Sequence, residues 1–354
     1  MKKIIIPVSA LLLLAGCGGN KETSSSESAA QTADSTEQLE VFTTVYPLAY
    51  FTEEIGGNYV NVQSIYPPGS NEHTFEPTQK DMIALAEADA LFYIGLELEG
   101  FVDNAKETLK NENVEFIATS ESISESDLGE GHSHGHETEE HDHEQEEATE
   151  EHNHDHEHTE ETEEHSHAHE EEIGEHGHAH DTVDPHIWIS PVLSQKLAET
   201  IKNELVERDE EHAAEYEGNY EKLVAELEEL DQSFKTVAEN ADQKSFFVSH
   251  EAFGYIANTY GFDQVAVAGL NSEDEPSQKE LTQIVELAKE KDIHYIAFEQ
   301  NVSSKIAEVI QNEIGAEAVH MHNLSVLTQE DIEQGETYFT LMEKNLAVFE
   351  KILN

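Results

Sequence analysis

The chain has 354 residues, with 77 Asp or Glu against 18 Lys or Arg, and a formal net charge of −59 at pH 7. That balance excludes a nucleic-acid binder, whose recognition faces are basic, and it excludes docking on anionic lipid by charge alone. It suits a cationic ligand such as a metal ion, although over most of the chain acidity also serves simply to keep an exported protein soluble.

Lys2 and Lys3 precede an apolar run, Ile4 to Leu14, too short to span a bilayer and built like a signal-peptide core. Leu14-Ala15-Gly16-Cys17 follows and resembles a bacterial lipobox. That resemblance implies removal of residues 1–16 and attachment of lipid to Cys17. Cys17 is the chain's one cysteine, so no intrachain disulfide is possible. Residues 17–38 are rich in Ser, Glu, Thr and Ala and are predicted to be a disordered tether. The mature protein is then expected on the outer face of the cytoplasmic membrane, held by its lipid.

Folded sequence begins at Leu39. Strands are predicted at Leu39–Thr44, Tyr59–Tyr66, Ala90–Ile94 and Val114–Ala118. Helices are predicted at Leu48–Ile55, from Thr78 to about Ala88, and at Glu99–Leu109, with Asp81 completing a capping box on Thr78. Strands alternating with helices argue for a parallel sheet. A low-complexity stretch then interrupts the pattern. Residues 130–181 hold 15 of the 22 His and 21 Asp or Glu, with no Lys or Arg. No core can be built from that composition, and a disordered loop is expected over about 121–181.

Ser190-Pro191 starts a helix to about Glu207. From Ala213 to Asn240 the apolar residues Tyr216, Tyr220, Leu223, Leu227, Leu230, Phe234 and Val237 recur at steps of three and four. That predicts one amphipathic helix about 40 Å long, either a strut between two lobes or a surface helix on one of them. Strands are predicted at Ser245–Ser249, Val265–Ala268, Tyr295–Phe298 and Ala318–Met321. Helices are predicted at Ala252–Tyr260, Ser277–Lys289, Val302–Ile314 and Gly335–Leu353. The expected architecture is therefore two α/β lobes with mainly parallel sheets, residues 39–211 and 241–354, joined by a long helix at 212–240.

Three histidines outside the tract stand in contexts that suit a ligand. His73 lies in a loop after a strand and the turn Pro67-Pro68-Gly69; His186 follows Asp184-Pro185; His250 ends an apolar strand, where open α/β sheets bind ligands. Neutral imidazole is a good zinc donor, and three protein ligands with an open fourth position is a known zinc arrangement. In the tract, His-x-His recurs in five runs: at His132, His134 and His136; at His141 and His143; at His152, His154, His156 and His158; at His165, His167 and His169; and at His176, His178 and His180. Such pairs can chelate, but ordering a flexible chain costs entropy. Each tract site should be weaker than a preformed one, and the tract reads as a metal collector or as a tolerated acidic insertion.

The segments His73-Thr-Phe-Glu-Pro77, Asp184-Pro-His186-Ile-Trp188 and Ser249-His250-Glu-Ala-Phe-Gly-Tyr255 resemble the three signature segments of the zinc/manganese solute-binding proteins of ABC transporters, zinc branch. The resemblance covers about Leu39 to Asn354 and places the tract where zinc-branch members carry a His-rich loop. It implies two lobes joined by a rigid helix, a Zn2+ between them on His73, His186 and His250, a monomer, and a membrane permease with its ATPase as partner. Many relatives carry a carboxylate where this chain has Ser325. The fourth position is therefore open to water, to Glu72 beside His73, or to a tract histidine. Glu299, ending its strand, is either a support for the site or a cap on the next helix. Manganese-type relatives carry an acidic residue in place of His250, so zinc is expected rather than manganese. An adhesin role on the same scaffold could coexist with transport. A zinc hydrolase is disfavoured, because the position of the second His in a His-Glu-x-x-His motif starting at His250 is Gly254.

Overall fold

The computed structural model describes residues 38–129, 183–274, 276–300 and 304–354. The predicted leader, Cys17 and nearly all of the tether lie outside the described residues. So does every histidine of the expected accessory loop: His132, His134, His136, His141, His143, His152, His154, His156, His158, His165, His167, His169, His176, His178 and His180. The fixed site is therefore described from the remaining histidines alone.

In chain order the elements are β1 (Leu39–Thr43), α1 (Tyr46–Gly56), β2 (Val60–Ser64), α2 (Gln79–Ala86), β3 (Ala90–Tyr93), α3 (Val102–Leu109), β4 (Glu115–Ala118), α4 (Glu125–Gly129), α5 (Pro191–Arg208) and α6 (Ala213–Asn240). The second half continues with β5 (Ser245–His250), α7 (Gly254–Tyr260), β6 (Asp263–Ala268), α8 (Gln278–Glu290), β7 (Tyr295–Glu299), α9 (Lys305–Ile314), β8 (Glu317–Met321), α10 (Gln329–Gln334) and α11 (Tyr338–Ile352). The strands form two four-stranded sheets, ordered β2-β1-β3-β4 and β6-β5-β7-β8. Every pairing is parallel.

Side-chain alternation in the second sheet explains its two cores. Phe246, Val248 and Ala297 face a core that runs on through α6 and α11 into the first sheet. Phe247, Ile296 and Phe298 face the other way, with Ile310 and Ala288 of the outer helices, and form a separate small core. The large core ties both sheets to α6, so the strut reading of that helix holds. Asn219 in its first half donates to Ile55 O of α1 at 3.1 Å, and Phe234 in its second half stacks on Tyr260 and meets Phe349 edge-on. Leu223, Leu227, Leu230 and Val237 are buried along the same stripe.

Several boundaries differ from expectation, and three of them have clear local reasons. The predicted helix Gly335–Leu353 is α11 alone, because Gly335 sits at φ 70 as the left-handed end of α10 and Thr337 then starts α11 with a capping box on Thr340. Gly57–Tyr59 forms a 3-10 turn, so β2 begins at Val60 rather than Tyr59. Residues 121–129, expected to be irregular, contain the end of a 3-10 turn, Thr119–Ser122, and then α4.

Candidate metal centre

The three histidines come from three separate segments of the chain. His250 is the last residue of β5, His73 lies in the loop after β2, and His186 lies in the connection after β4, immediately before the turn Ile187–Ile189. One ring nitrogen from each lies within 4.8 Å of the others. The ring centroids of His73 are 5.4 Å from those of His186 and His250, and the latter two are 4.9 Å apart.

The chain fixes each ring by a different device. The His73 loop is pinned by Asn71, whose Oδ1 accepts from His73 N at 2.9 Å and whose Nδ2 donates to Ser272 Oγ at 3.1 Å across to the second lobe. Asp184 Oδ1 accepts from both His186 N at 2.9 Å and His186 Nδ1 at 2.8 Å. A carboxylate only accepts, so Nδ1 carries the proton and the lone pair of His186 is on Nε2. Trp188 packs on the His186 ring, 5.3 Å between centroids, and donates its Nε1–H to Asn323 O at 2.7 Å. His250 Nδ1 donates to both oxygens of Glu299, at 3.1 and 3.2 Å, and its Nε2 donates to Leu270 O at 3.0 Å.

The electrostatics separate the three rings. Burial and two neighbouring imidazoles hold His73 down to about 3. Burial, with His250 beside it, holds His186 well below the usual range. Burial also disfavours charge on His250, but the Glu299 carboxylate outweighs it and pushes His250 up to about 9. Two neutral rings thus face one imidazolium. The Nε2 atoms of His73 and His186 are buried and make no hydrogen bond. Such orphaned acceptors cost about 1–3 kcal/mol each unless something fills them, and a cation with imidazole ligands fits. Tetrahedral zinc, with Zn–N near 2.0–2.1 Å, sets its nitrogens about 3.4 Å apart. The triad therefore needs only a small contraction, with His250 Nε2 leaving Leu270 O.

Glu72, Glu299 and Ser325 are all buried in the wall of this site. None of the three belongs to the histidine set: among the described residues no carboxylate joins it within 4.8 Å. Glu72 Oε1 accepts from Asn323 Nδ2 at 3.1 Å, and burial raises its carboxyl above the ordinary range. Ser325 Oγ donates to Asn323 Oδ1 at 2.9 Å. Glu299 takes the supporting place beside His250. Sequence reasoning passed over Asn323 and Leu270. Neither carries a signal in the sequence, since one acts through a carboxamide in an irregular segment and the other through its backbone.

A family model described as ZnuA, zinc-uptake complex component A, periplasmic, matches residues 41–352. The chain is 33% identical over 343 residues to the high-affinity zinc uptake system protein ZnuA of Bacillus subtilis, covering 97% of this chain and 94% of that one. It is 34% identical over 310 residues to the zinc-binding protein AdcA of Streptococcus pyogenes, covering 87% of this chain but 55% of that one, so it spans about half the length of that relative. The solved Zn(II)-bound ZnuA-like domain of AdcA from Streptococcus pneumoniae superposes with a TM-score of 0.66 at 28% identity, over 89% of this chain and 99% of that domain. With a family match running from β1 to the last turn of α11, this chain belongs to the ZnuA family of zinc-uptake components.

Proposed function

We propose that this chain captures Zn2+ outside the cytoplasmic membrane, on His73, His186 and His250, and delivers it to an ABC permease driven by an ATPase. The observation that carries the reading is the pair of buried, unpartnered Nε2 atoms on His73 and His186 facing the third imidazole. Three nitrogen donors favour zinc over manganese, which takes more carboxylate oxygen. The fourth position is read as open to water, since Ser325 is turned onto Asn323 and Glu72 is held by the same side chain. The chain carries metal without turnover. The His-Glu-x-x-His pattern of a zinc hydrolase fails at Gly254, and among the described residues no carboxylate joins the histidine set.

The lipobox-like segment ending in Cys17 supports lipid anchoring, and the His-x-His runs support a collector that feeds the cleft. The direct test is calorimetric. His250→Glu should weaken zinc binding strongly, and unchanged affinity would remove His250 from the site. In cells, deleting residues 130–181 should impair growth only when zinc is scarce; full growth there would end the collector role.

A further inference from the structure

Behind the histidines, one residue reaches all three ligand segments, two through its side chain and one through its backbone. Asn323 lies between β8 and α10 and is fully buried. Its backbone carbonyl accepts from Trp188 Nε1 at 2.7 Å, two residues beyond His186. Its Nδ2 donates at 3.1 Å to Glu72 Oε1, one residue before His73, and at 2.7 Å to Glu299 Oε2, whose carboxylate holds His250. Its Oδ1 accepts from Ser325 N at 3.1 Å and Ser325 Oγ at 2.9 Å. The network allows one amide orientation only. Reversing it would set the Ser325 amide against NH2 and aim an oxygen at two carboxylates.

The backbone that aims this side chain is strained. Leu324 is a non-glycine residue at φ 61. Its N–H donates to His322 Nδ1 at 2.8 Å. His322 is in turn clasped by Asn345, which accepts from its N–H and donates to its carbonyl, both at 2.7 Å. An unfavourable turn fixed from both sides by buried partners is the kind of strain that marks a functional position.

We propose that Asn323 is the positioning residue of the metal site: its side chain sets the spacing of the His73 and His250 segments and holds the carboxylates of Glu72 and Glu299 off the metal, keeping the donor set at three nitrogens. The proposal rests on the three-histidine reading above. A neutral amide is the chemistry this task requires. It offers two N–H donors to two buried carboxylates and adds no charge beside them, whereas a carboxylate at 323 would repel both. Releasing Glu72, which adjoins His73, would let an oxygen into the coordination shell and make the site harder, toward manganese.

The test loads the full chain with one equivalent of Co2+ and reads its visible absorption. Four-coordinate Co2+ absorbs strongly in the visible, and added oxygen ligands weaken the bands. Asn323→Ala should weaken them and lower the ratio of zinc to manganese affinity at least tenfold. Asn323→Ser, which keeps a short acceptor for the Ser325 amide but cannot span both carboxylates, should do the same and covers the case in which the alanine variant does not fold. Adding Glu72→Gln to either should return the spectrum toward wild type. Variants that melt at lower temperature, yet keep the wild-type spectrum and the affinity ratio within threefold, would overturn the role of Asn323 and leave the triad standing. A spectrum that Glu72→Gln does not restore overturns the withholding of Glu72. A wild-type chain without intense bands would overturn the triad and this proposal together.

Discussion

Zinc binding at pH 7 should release one proton, and that proton should come from His250. Its two ring nitrogens both face acceptors, Glu299 on one side and Leu270 O on the other. Neither a carboxylate nor a carbonyl donates, so the ring carries two protons in this geometry, in line with its rise to about 9. His73, at about 3, and His186, lower than usual, are already neutral. A zinc ion needs the Nε2 lone pair of His250 and must displace the proton there. With a pKa of about 9, affinity at pH 7 is lowered about 100-fold, or about 3 kcal/mol, relative to the deprotonated ring, and it climbs about tenfold per pH unit up to pH 9.

Calorimetry at less than one equivalent of zinc, in buffers of different ionisation enthalpy, measures the released protons directly. Keeping zinc below one equivalent fills the tightest site before the tract. A value near one is expected; zero, or two and more, refutes the assignment. Glu299→Gln removes the charge that raises His250, so proton release at pH 7 should fall toward zero and the pH slope should flatten. The same variant should also lose affinity above pH 9, because Glu299 holds the Nδ1–H and makes Nε2 a better donor.

His73 and His186 should each destabilise the metal-free protein in mild acid. Both titrate below their unfolded value near 6.5, so the unfolded chain takes up protons first as pH falls, and each ring removes about 2 kcal/mol between pH 6.5 and 5. Glu99 and Glu251, pushed up by burial to about 7, take up protons first in the folded state and work in the opposite direction. Urea unfolding of metal-free wild type and His73→Gln at the two pH values isolates the histidine: the variant should lose less stability, or gain more, on acidification, and identical changes would reject the argument. Leu227→Ala, in the middle of the strut and fully buried, should cost about 2–5 kcal/mol; a loss under 1 kcal/mol would mean that α6 is not packed from both sides. Glu99 accepts from Thr44 Oγ1, Ile94 N and Gly95 N at 2.8–3.0 Å. It thereby holds the left-handed residues Gly95, Leu96 and Glu97. Glu99→Gln leaves one of those donors facing an NH2 and should cost about 1–3 kcal/mol in the same assay.

The periodic elements were legible because their physics is local. The stripe from Tyr216 to Val237 gave α6 its limits, and the capping box at Thr78 and Asp81 fixed where α2 begins. His73, His186 and His250 were legible as candidates because each sits in a recognisable segment: a loop after a Pro-Pro-Gly turn, an Asp-Pro-His run and the end of an apolar strand. Other features depend on contacts between residues far apart in sequence. Leu270 holds His250 by a carbonyl, which every residue has. Asn323 holds Glu72 and Glu299 across 251 and 24 residues of sequence, and a lone Asn in an irregular segment reads as a turn former.

Ser325 shows how the two kinds of information combine. Read alone, a serine where relatives carry a carboxylate is a missing ligand. In the fold the serine faces Asn323, and its hydroxyl and amide hold the carboxamide oxygen so that the NH2 must face the acids. A carboxylate at 325 would lie beside Glu72 and Glu299, and the imidazolium of His250 is already paired with Glu299. By Coulomb's law at an effective dielectric near 20, each added pair of charges at about 4 Å costs about 4 kcal/mol. The two acids already present are tolerable because a neutral donor lies between them. Ser325 and Asn323 therefore belong together. Ser325→Asp alone should not recover a fourth ligand; it should bind zinc more weakly than the wild type, and tighter binding would show that the wall tolerates a third acid.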